Sequence, residues 1–350
     1  MPAEWERHER CYVVWPERTD TWRLGAKPAQ STFLEVVEAI ARSEPVTVLV
    51  SARQWEHART SCSDAVQVVE MATDDAWARD TGPTFVLNRS VGERRGVDWV
   101  FNAWGGLDGG LYFPWALDDL VAAKVCELEH APRYRAPFVL EGGSIHVDGQ
   151  GTCITTEECL LRPNRNPDRT RSEIEALLGE YLGVEKVIWI PRGVPGDETD
   201  GHVDNLACFT RPGRVLLTWS DARDDLQTEI SREARAVLES ATDARGRRLD
   251  VGLLPAPGPL AMTDEEASGV DRSEYARPRT AGDHLAGSYV NFLITNAAVI
   301  HPLLDERLDE EVGELLAAEF PEHRIEGVAG REILLGGGNI HCITQQVPSV

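Results

Sequence analysis

Three short stretches and a lone carboxylate bring together residue types that could do chemistry. Near the end of the chain, Gly336-Gly337-Gly338-Asn339-Ile340-His341-Cys342-Ile343-Thr344-Gln345-Gln346 sets three consecutive glycines ahead of a β-capable run. Glycines add no side chain to a core, so such a triplet serves a backbone that bends sharply or lets a ligand approach closely. Cys342 then stands at a loop–strand junction, the fixed mount that an attacking thiol needs. Taken alone, the same cysteine reads more readily as one more small buried residue. The densest polar cluster is Asp197-Glu198-Thr199-Asp200-Gly201-His202-Val203-Asp204-Asn205. At strand spacing His202 and Asp204 project to one face, where an imidazole and a carboxylate can serve as a base beside a cation anchor. A solvated acidic loop is the plainer alternative. Trp77-Ala78-Arg79-Asp80-Thr81-Gly82-Pro83 reads as a polar turn before a strand, and Glu141 precedes the glycine pair Gly142-Gly143.

A thiol, a histidine and several carboxylates form a set with no obligatory metal. The sequence has no His-Glu-x-x-His helix, no Cys-x-x-Cys pair and no paired Asp-rich motifs of a manganese ureohydrolase. Neither a metal nor a cofactor is therefore expected. Carboxylates around a thiol suit an electrophile that is itself a cation. A guanidinium qualifies, being planar, permanently charged and equipped with five donors that match two or three carboxylates.

The elements that must position these residues follow from periodicity. Helical spacing of apolar residues marks 29–44, 115–128, 171–183, 222–241 and 304–320, the third opening with a Thr170/Glu173 capping box. Strand-like runs fall at 46–51, 66–71, 84–88, 99–104, 138–140, 151–157, 186–191, 206–210, 214–220, 249–254, 288–295, 324–328 and 340–346. Strands, helix, strands thus recur about five times, with no Ser/Pro-rich linker. Glu141-Gly142-Gly143-Ser144-Ile145-His146 echoes Gly336-Gly337-Gly338-Asn339-Ile340-His341, and Gly151-Thr152-Cys153-Ile154-Thr155-Thr156 resembles Cys342-Ile343-Thr344-Gln345. A pseudo-symmetric ring of αβ units, residues 1–350 as one catalytic domain, would gather equivalent loops around a central cavity. Two separate α/β domains are the other arrangement. Residues 255–285 form the one long irregular stretch, read as a lid or rim.

Bulk composition fits a globular chain, with 42% hydrophobic and 27% charged residues. The formal charge of −23 argues against nucleic acid, whose phosphates need clustered Lys and Arg, and favours a cationic ligand or simply solubility. No apolar stretch approaches a membrane span, and the start, Met1-Pro2-Ala3-Glu4-Trp5, lacks the pattern of a signal peptide. Seven cysteines without regular spacing point to reduced thiols in the cytoplasm.

Against this background, Trp77–Pro83, Gly201–Asn205 and Gly336–Gln346 resemble the signature blocks of the agmatine deiminases. Met1–Trp5 and Gly25-Ala26-Lys27-Pro28-Ala29-Gln30 are similar too, so the likeness spans the whole chain. The family belongs to the guanidine-modifying superfamily, and the resemblance implies a five-bladed α/β propeller with pseudo-fivefold symmetry. It implies hydrolysis of agmatine to N-carbamoylputrescine and ammonia through a covalent amidino-cysteine. Cys342 would be the nucleophile and His202 the general acid and base. Asp80 and Asp204 would grip the guanidinium, with Glu141 ordering His202. Trp77, Glu198, Gly337 and Gly338 would line the substrate, Glu198 facing its distal ammonium. The expected partner is a small cationic guanidine, with neither nucleic acid nor membrane. A homo-oligomer is compatible with the sequence. His146, His341 and the cysteines other than Cys342 are read as structural.

The nearest rival on the same scaffold is a peptidylarginine or other guanidine deiminase. A non-catalytic polyamine-binding protein is the remote one, since binding alone requires neither Cys342 nor His202. Arginine deiminase would need a basic residue for the substrate carboxylate, where the motif blocks present Asp197, Glu198 and Asp200.

Overall fold

Five small mixed sheets carry the α/β fold of the computed structural model, which describes residues 1–350. One connectivity recurs in all of them: two antiparallel strands, then a helix, then a third strand parallel to the second. Thr84–Asn88 and Glu93–Val100 pair antiparallel, helix Val121–Leu128 crosses over, and Arg133–Val139 runs parallel to the second strand. Ile145–Val147, Thr152–Thr156 and Lys186–Ile190 repeat the pattern across helix Arg171–Leu182. Ala207–Arg211, Arg214–Trp219 and Asp250–Pro255 do so across Leu226–Ser240. Leu293–Ile294, Ala298–Leu303 and Arg324–Ala329 do so across Asp309–Glu319. In the remaining sheet the last strand of the chain, Thr344–Pro348, pairs antiparallel with the first, His8–Val14. Helix Lys27–Ala41 then leads to Val46–Val50, parallel to His8–Val14, and Val66–Glu70 adds a fourth strand.

Local chemistry accounts for these elements. Pro28 sits in the first turn of Lys27–Ala41, where a missing N–H costs nothing and the fixed φ is already helical. That helix buries Phe33, Val36, Val37 and Ile40 completely, each worth roughly 1.5–3 kcal/mol of transfer free energy. They lie in one apolar cluster with Val46, Val48, Leu49 and Val50. Val46–Val50 is buried at every position, as a strand flanked on both sides in a parallel arrangement must be. Helix Arg171–Leu182 begins with the reciprocal Thr170/Glu173 bonds expected from its sequence and ends on Gly183 at φ 70°, a left-handed conformation that favours glycine.

The five helices expected from periodicity all exist: the first starts two residues early, at Lys27, and ends at Ala41, and the other four are trimmed; the segment expected to start at 115 begins as a 3-10 turn at Asp118–Leu120. Four strand expectations need correction, the first being 138–140, where the strand starts five residues earlier, at Arg133, and ends at Val139. The run 99–104 overlaps only the end of Glu93–Val100, and 288–295 forms strand only at Leu293–Ile294. The run 340–346 becomes strand only from Thr344. His8–Val14, Ile145–Val147 and Ala298–Leu303 carry no expectation above; their short or polar-interrupted runs give periodicity little to act on. The glycine-loop echo corresponds to topology, because both loops feed the first strand of their sheets. The Gly151–Thr156 echo does not, since Thr152–Thr156 is a second strand and Thr344–Pro348 a first. Residues 255–285 contain one short helix, Asp264–Ser268, and bridge back to the body through Tyr112 and Ala276. No helix is long and apolar enough to cross a membrane.

Candidate active site

Each sheet is entered through a loop that precedes its first strand, and all five loops bring a residue to one buried cluster. They contribute Asp80 before Thr84–Asn88, Glu141 before Ile145–Val147, His202 and Asp204 before Ala207–Arg211, Asn291 before Leu293–Ile294, and Cys342 before Thr344–Pro348. His202 and Asp204 are not on a strand: Val203–Asn205 is a 3-10 turn. The turn still brings both side chains to the same cluster.

Short contacts define the geometry. Cys342 Sγ lies 3.2 Å from Asn291 Nδ2, which donates to it, and 3.6 Å from Asp204 Oδ2. Asp204 Oδ2 also accepts from His341 Nδ1 at 2.8 Å, while its Oδ1 is buried with no partner. Asp80 accepts from Trp104 Nε1 at 2.9 Å and from the Gly143 N–H at 2.8 Å. The His202 ring lies between two acids, Nδ1 3.8 Å from Asp80 and Nε2 3.7 Å from Glu141, and neither nitrogen has a hydrogen-bond partner. Glu141 is held from behind by Arg165 Nε at 2.6 Å, and Arg165 in turn by Asp200 at 2.9 Å and the Thr199 carbonyl at 2.7 Å.

Glycine is required where these groups converge. A Cβ on Gly143 would stand 2.7 Å from His202 Nδ1, 2.8 Å from Asp204 Oδ2 and 3.1 Å from Asp80 Oδ1. A Cβ on Gly338 would stand 2.6 Å from the Trp77 ring and 3.1 Å from Cys342 Sγ. Gly337, at φ +114°, would press a Cβ against Glu198. Trp77 stacks on Trp22 with centroids 5.2 Å apart and donates from Nε1 to Asp75, so its plane is fixed.

The charge states follow from burial and neighbours. Burial, then Asp204 and Asp80, push the Cys342 thiol well above its usual range, so it is protonated in the empty site. Burial favours a neutral His202, but the carboxylates of Asp80 and Glu141 outweigh it and hold the imidazolium. Burial, with Asp204 and Glu141 adding to it, raises Asp80 to about 6 against the pull of His202. Burial opposes the charge on Glu141 too, yet Arg165 and His202 bring it down to about 2. Unpaired acceptors facing a protonated thiol suit a planar cation, which would satisfy the orphaned oxygen of Asp204 and offset the charges that keep the thiol protonated.

Two buried groups have metal-like spacing, Glu141/Cys159/His202 and Glu4/His146/His341. Neither donor set fits an ion. Glu141 is already committed to Arg165. In the second group the Phe209 N–H donates to His146 Nδ1, which puts the ring proton on Nε2, where a metal would have to bind.

Glu198 lies beside the glycine loop, but not as a free carboxylate. Arg279 bonds both to it and to the Gly336 carbonyl, and Arg277 lies 3.8 Å from its other oxygen. Both arginines come from the long 255–285 stretch, which lines an open cavity of about 970 Å³ that none of the five catalytic candidates touches. The acidic motif blocks therefore gave an incomplete picture of charge around Glu198. The sequence reading also omitted Asn291 and Arg165 and did not foresee the contact of His341 with Asp204. Asn291 stands in the fourth of the five equivalent loops, an equivalence that shows only once the sheets are in place; Arg165, one arginine in a polar loop, had no signal.

The chain matches, over residues 1–348, the family described as Porphyromonas-type peptidyl-arginine deiminase. It is 58% identical to an agmatine deiminase of Pseudomonas aeruginosa strain LESB58, across 100% of this chain and 95% of that one. Among solved structures it is similar to agmatine deiminase of Enterococcus faecalis, at TM-score 0.97 and 47% identity over 100% of this chain and 95% of the other. A substrate-bound agmatine deiminase of C. jejuni superposes at TM-score 0.84 and 26% identity, covering 99% of this chain and 95% of its own.

Proposed function

We infer the activity from one premise: the chain belongs to the Porphyromonas-type peptidyl-arginine deiminase family, and within it to the agmatine deiminases. It is a hydrolase that deiminates agmatine to N-carbamoylputrescine and ammonia. The observation that carries this is 58% identity over the full chain. The convergence of five loops on a thiol, an imidazolium and three carboxylates supports it independently.

The mechanism we propose assigns Cys342 Sγ as the nucleophile. Asp80 and Asp204 take the guanidinium nitrogens, the arriving positive charge offsets the carboxylates that hold the thiol proton, and the thiol releases that proton to bulk water. The thiolate then adds to the guanidinium carbon. His202, already an imidazolium, gives its proton to the departing ammonia and leaves an amidino group on Cys342. Neutral His202 next takes a proton from water as the water adds to that carbon; the C–S bond breaks, the new hydroxyl gives its proton to the departing sulfur, which restores the thiol, and the carbamoyl product leaves. Asn291 Nδ2, donating to Sγ at 3.2 Å, steadies the sulfur as it gains charge. Glu141 acts through His202, since Arg165 occupies its other oxygen. Trp77 and Gly338 flank the aliphatic part of the substrate. Glu198, with one oxygen less tightly held, takes the distal ammonium.

The same reading makes residues 1–350 one catalytic domain, its five sheets the blades of an α/β propeller about a pseudo-fivefold axis. Five repeats of one connectivity and the pairing of first with last strand support that arrangement. Seven buried, unpaired cysteines suit a reducing cytoplasm.

The test is ammonia release, with chelator present, from agmatine, free arginine and an arginine-containing peptide, with Cys342→Ala as control. Preference for agmatine, lost in the variant and indifferent to chelator, is expected. Turnover mainly of the peptide would move the substrate to protein side chains, a reading to which Arg277 and Arg279 beside Glu198 lend some support. Turnover of none would overturn the activity.

A further inference from the structure

Behind the nucleophile runs a buried chain of charged groups of which the mechanism above uses only the first, Asp204. Asp204 Oδ2 accepts from His341 Nδ1 at 2.8 Å, and His341 Nε2 meets Glu4 Oε2 at 3.0 Å. The other oxygen of Glu4 accepts from the Ile294 N–H at 2.8 Å, so this carboxylate is anchored at both ends. All three side chains are buried. A carboxylate only accepts hydrogen bonds, so a ring nitrogen facing one must donate. His341 faces one on each nitrogen and must therefore carry both protons. The remaining charged neighbour, Arg79, opposes this, and His146 lies with its ring centroid 6.2 Å away. His146 itself stays neutral, its Nδ1 accepting from the Phe209 N–H and its Nε2 3.7 Å from Glu4.

We propose that Glu4 and His341 are positioning residues for the deimination: Glu4 secures His341 as an imidazolium, which fixes Asp204 and places a positive charge next in sequence to Cys342. The proposal rests on the agmatine deiminase reading. Its consequences are geometric and electrostatic. With Oδ2 of Asp204 taken by His341, Oδ1 is the free acceptor and the carboxylate cannot rotate away from the guanidinium. The cation also offsets the Asp204 charge at the sulfur, easing ionisation of the thiol. It does nothing to attract a cationic substrate. Loss of the charge should therefore lower kcat and leave KM unchanged or smaller, a split that general loosening of the fold does not produce. The direction of the His341 shift, up from its ordinary range despite burial and Arg79, agrees.

Two measurements test it. In Glu4→Gln the geometry is conserved and the charge removed; an opposite charge in contact moves a neighbour's pKa by about one to three. The expected results are a fall in kcat of roughly tenfold, no rise in KM for agmatine, and an alkaline fall of kcat displaced to lower pH. Glu4→Asp, which keeps the charge, should restore the wild-type profile in part. A folded Glu4→Gln enzyme with wild-type kcat and pH profile would overturn the proposal. Ring-nitrogen chemical shifts of the ¹⁵N-histidine-labelled wild type, with His341→Gln for assignment, need no active variant. They should report His341 doubly protonated at neutral pH, and a neutral ring there would overturn the proposal as well. Were the wild type inert towards agmatine, the activity reading would fail while the nitrogen shifts still decided the charge of His341.

Discussion

Replacing Glu141 by Gln removes one charge from a completely buried ion pair and gives a prediction whose size can be worked out. The carboxyl of Glu141 falls from 4.5 to about 2 in the fold because Arg165 and His202 outweigh its burial. At about 1.4 kcal/mol per pH unit, that difference is on the order of 3 kcal/mol of stability. An independent route agrees, since stripping one partner from a buried pair typically costs about 3–5 kcal/mol. Arg165 keeps Asp200 and the carbonyls of Trp104 and Thr199, which places the expectation at the lower end. The sign follows from the depressed folded value. The contribution is complete above the unfolded pKa and is lost as pH falls through the folded one, so by about pH 3 less than half should remain. Urea unfolding of wild type and Glu141→Gln at neutral pH and in acid measures this. Glu141→Gln should lose about 3 kcal/mol near pH 7, with the gap narrowing in acid. Equal stability at neutral pH, or a gap that ignores pH, would refute the ion-pair reasoning.

Other consequences are equally open to test. Gly338→Ala sets a methyl group 2.6 Å from the Trp77 ring and 3.1 Å from the sulfur; displacing a nucleophile by about 1 Å can cost roughly a hundredfold, so kcat/KM should fall by that order with the fold intact by circular dichroism. Glu198→Gln should raise KM for agmatine by roughly ten- to a hundredfold, the worth of a hydrogen bond to a charged group, and change kcat little; an unaltered KM would remove Glu198 from the ammonium site. The pH profile of kcat/KM should fall as pH drops through about 6, where Asp80 takes up a proton in the free enzyme. A profile flat from pH 7 to 5 would exclude Asp80 as a required anion.

Much of this molecule could be read before its structure, and the gaps have definite causes. The helices were legible because Phe33, Val36, Val37 and Ile40, or Ile174 and Leu178, recur at helical spacing. Cys342, His202, Asp204, Asp80 and Glu141 were legible as types in unusual company, and they share one cluster here. Asn291 was not, because 288–295 reads as strand-like on local pattern while its first half is a loop, and asparagine draws no attention among apolar neighbours. The pairing of Glu198 with Arg279 joins residues 81 apart, a distance that no local pattern spans. Glu4 lies 337 residues from His341, and the two meet because the chain's first and last strands share a sheet. Long-range closure of this kind is what periodicity and spacing cannot express.

The central claim is that Cys342 carries the substrate's amidino group during turnover. Rapid quenching of agmatine turnover, followed by intact-mass analysis and peptide mapping, tests it most directly. An adduct of amidino mass on the peptide containing Cys342, formed and consumed at rates compatible with kcat and missing from Cys342→Ala, is the predicted result. Ammonia release from agmatine that continues undiminished in Cys342→Ala, with no adduct on the wild type, would contradict the account.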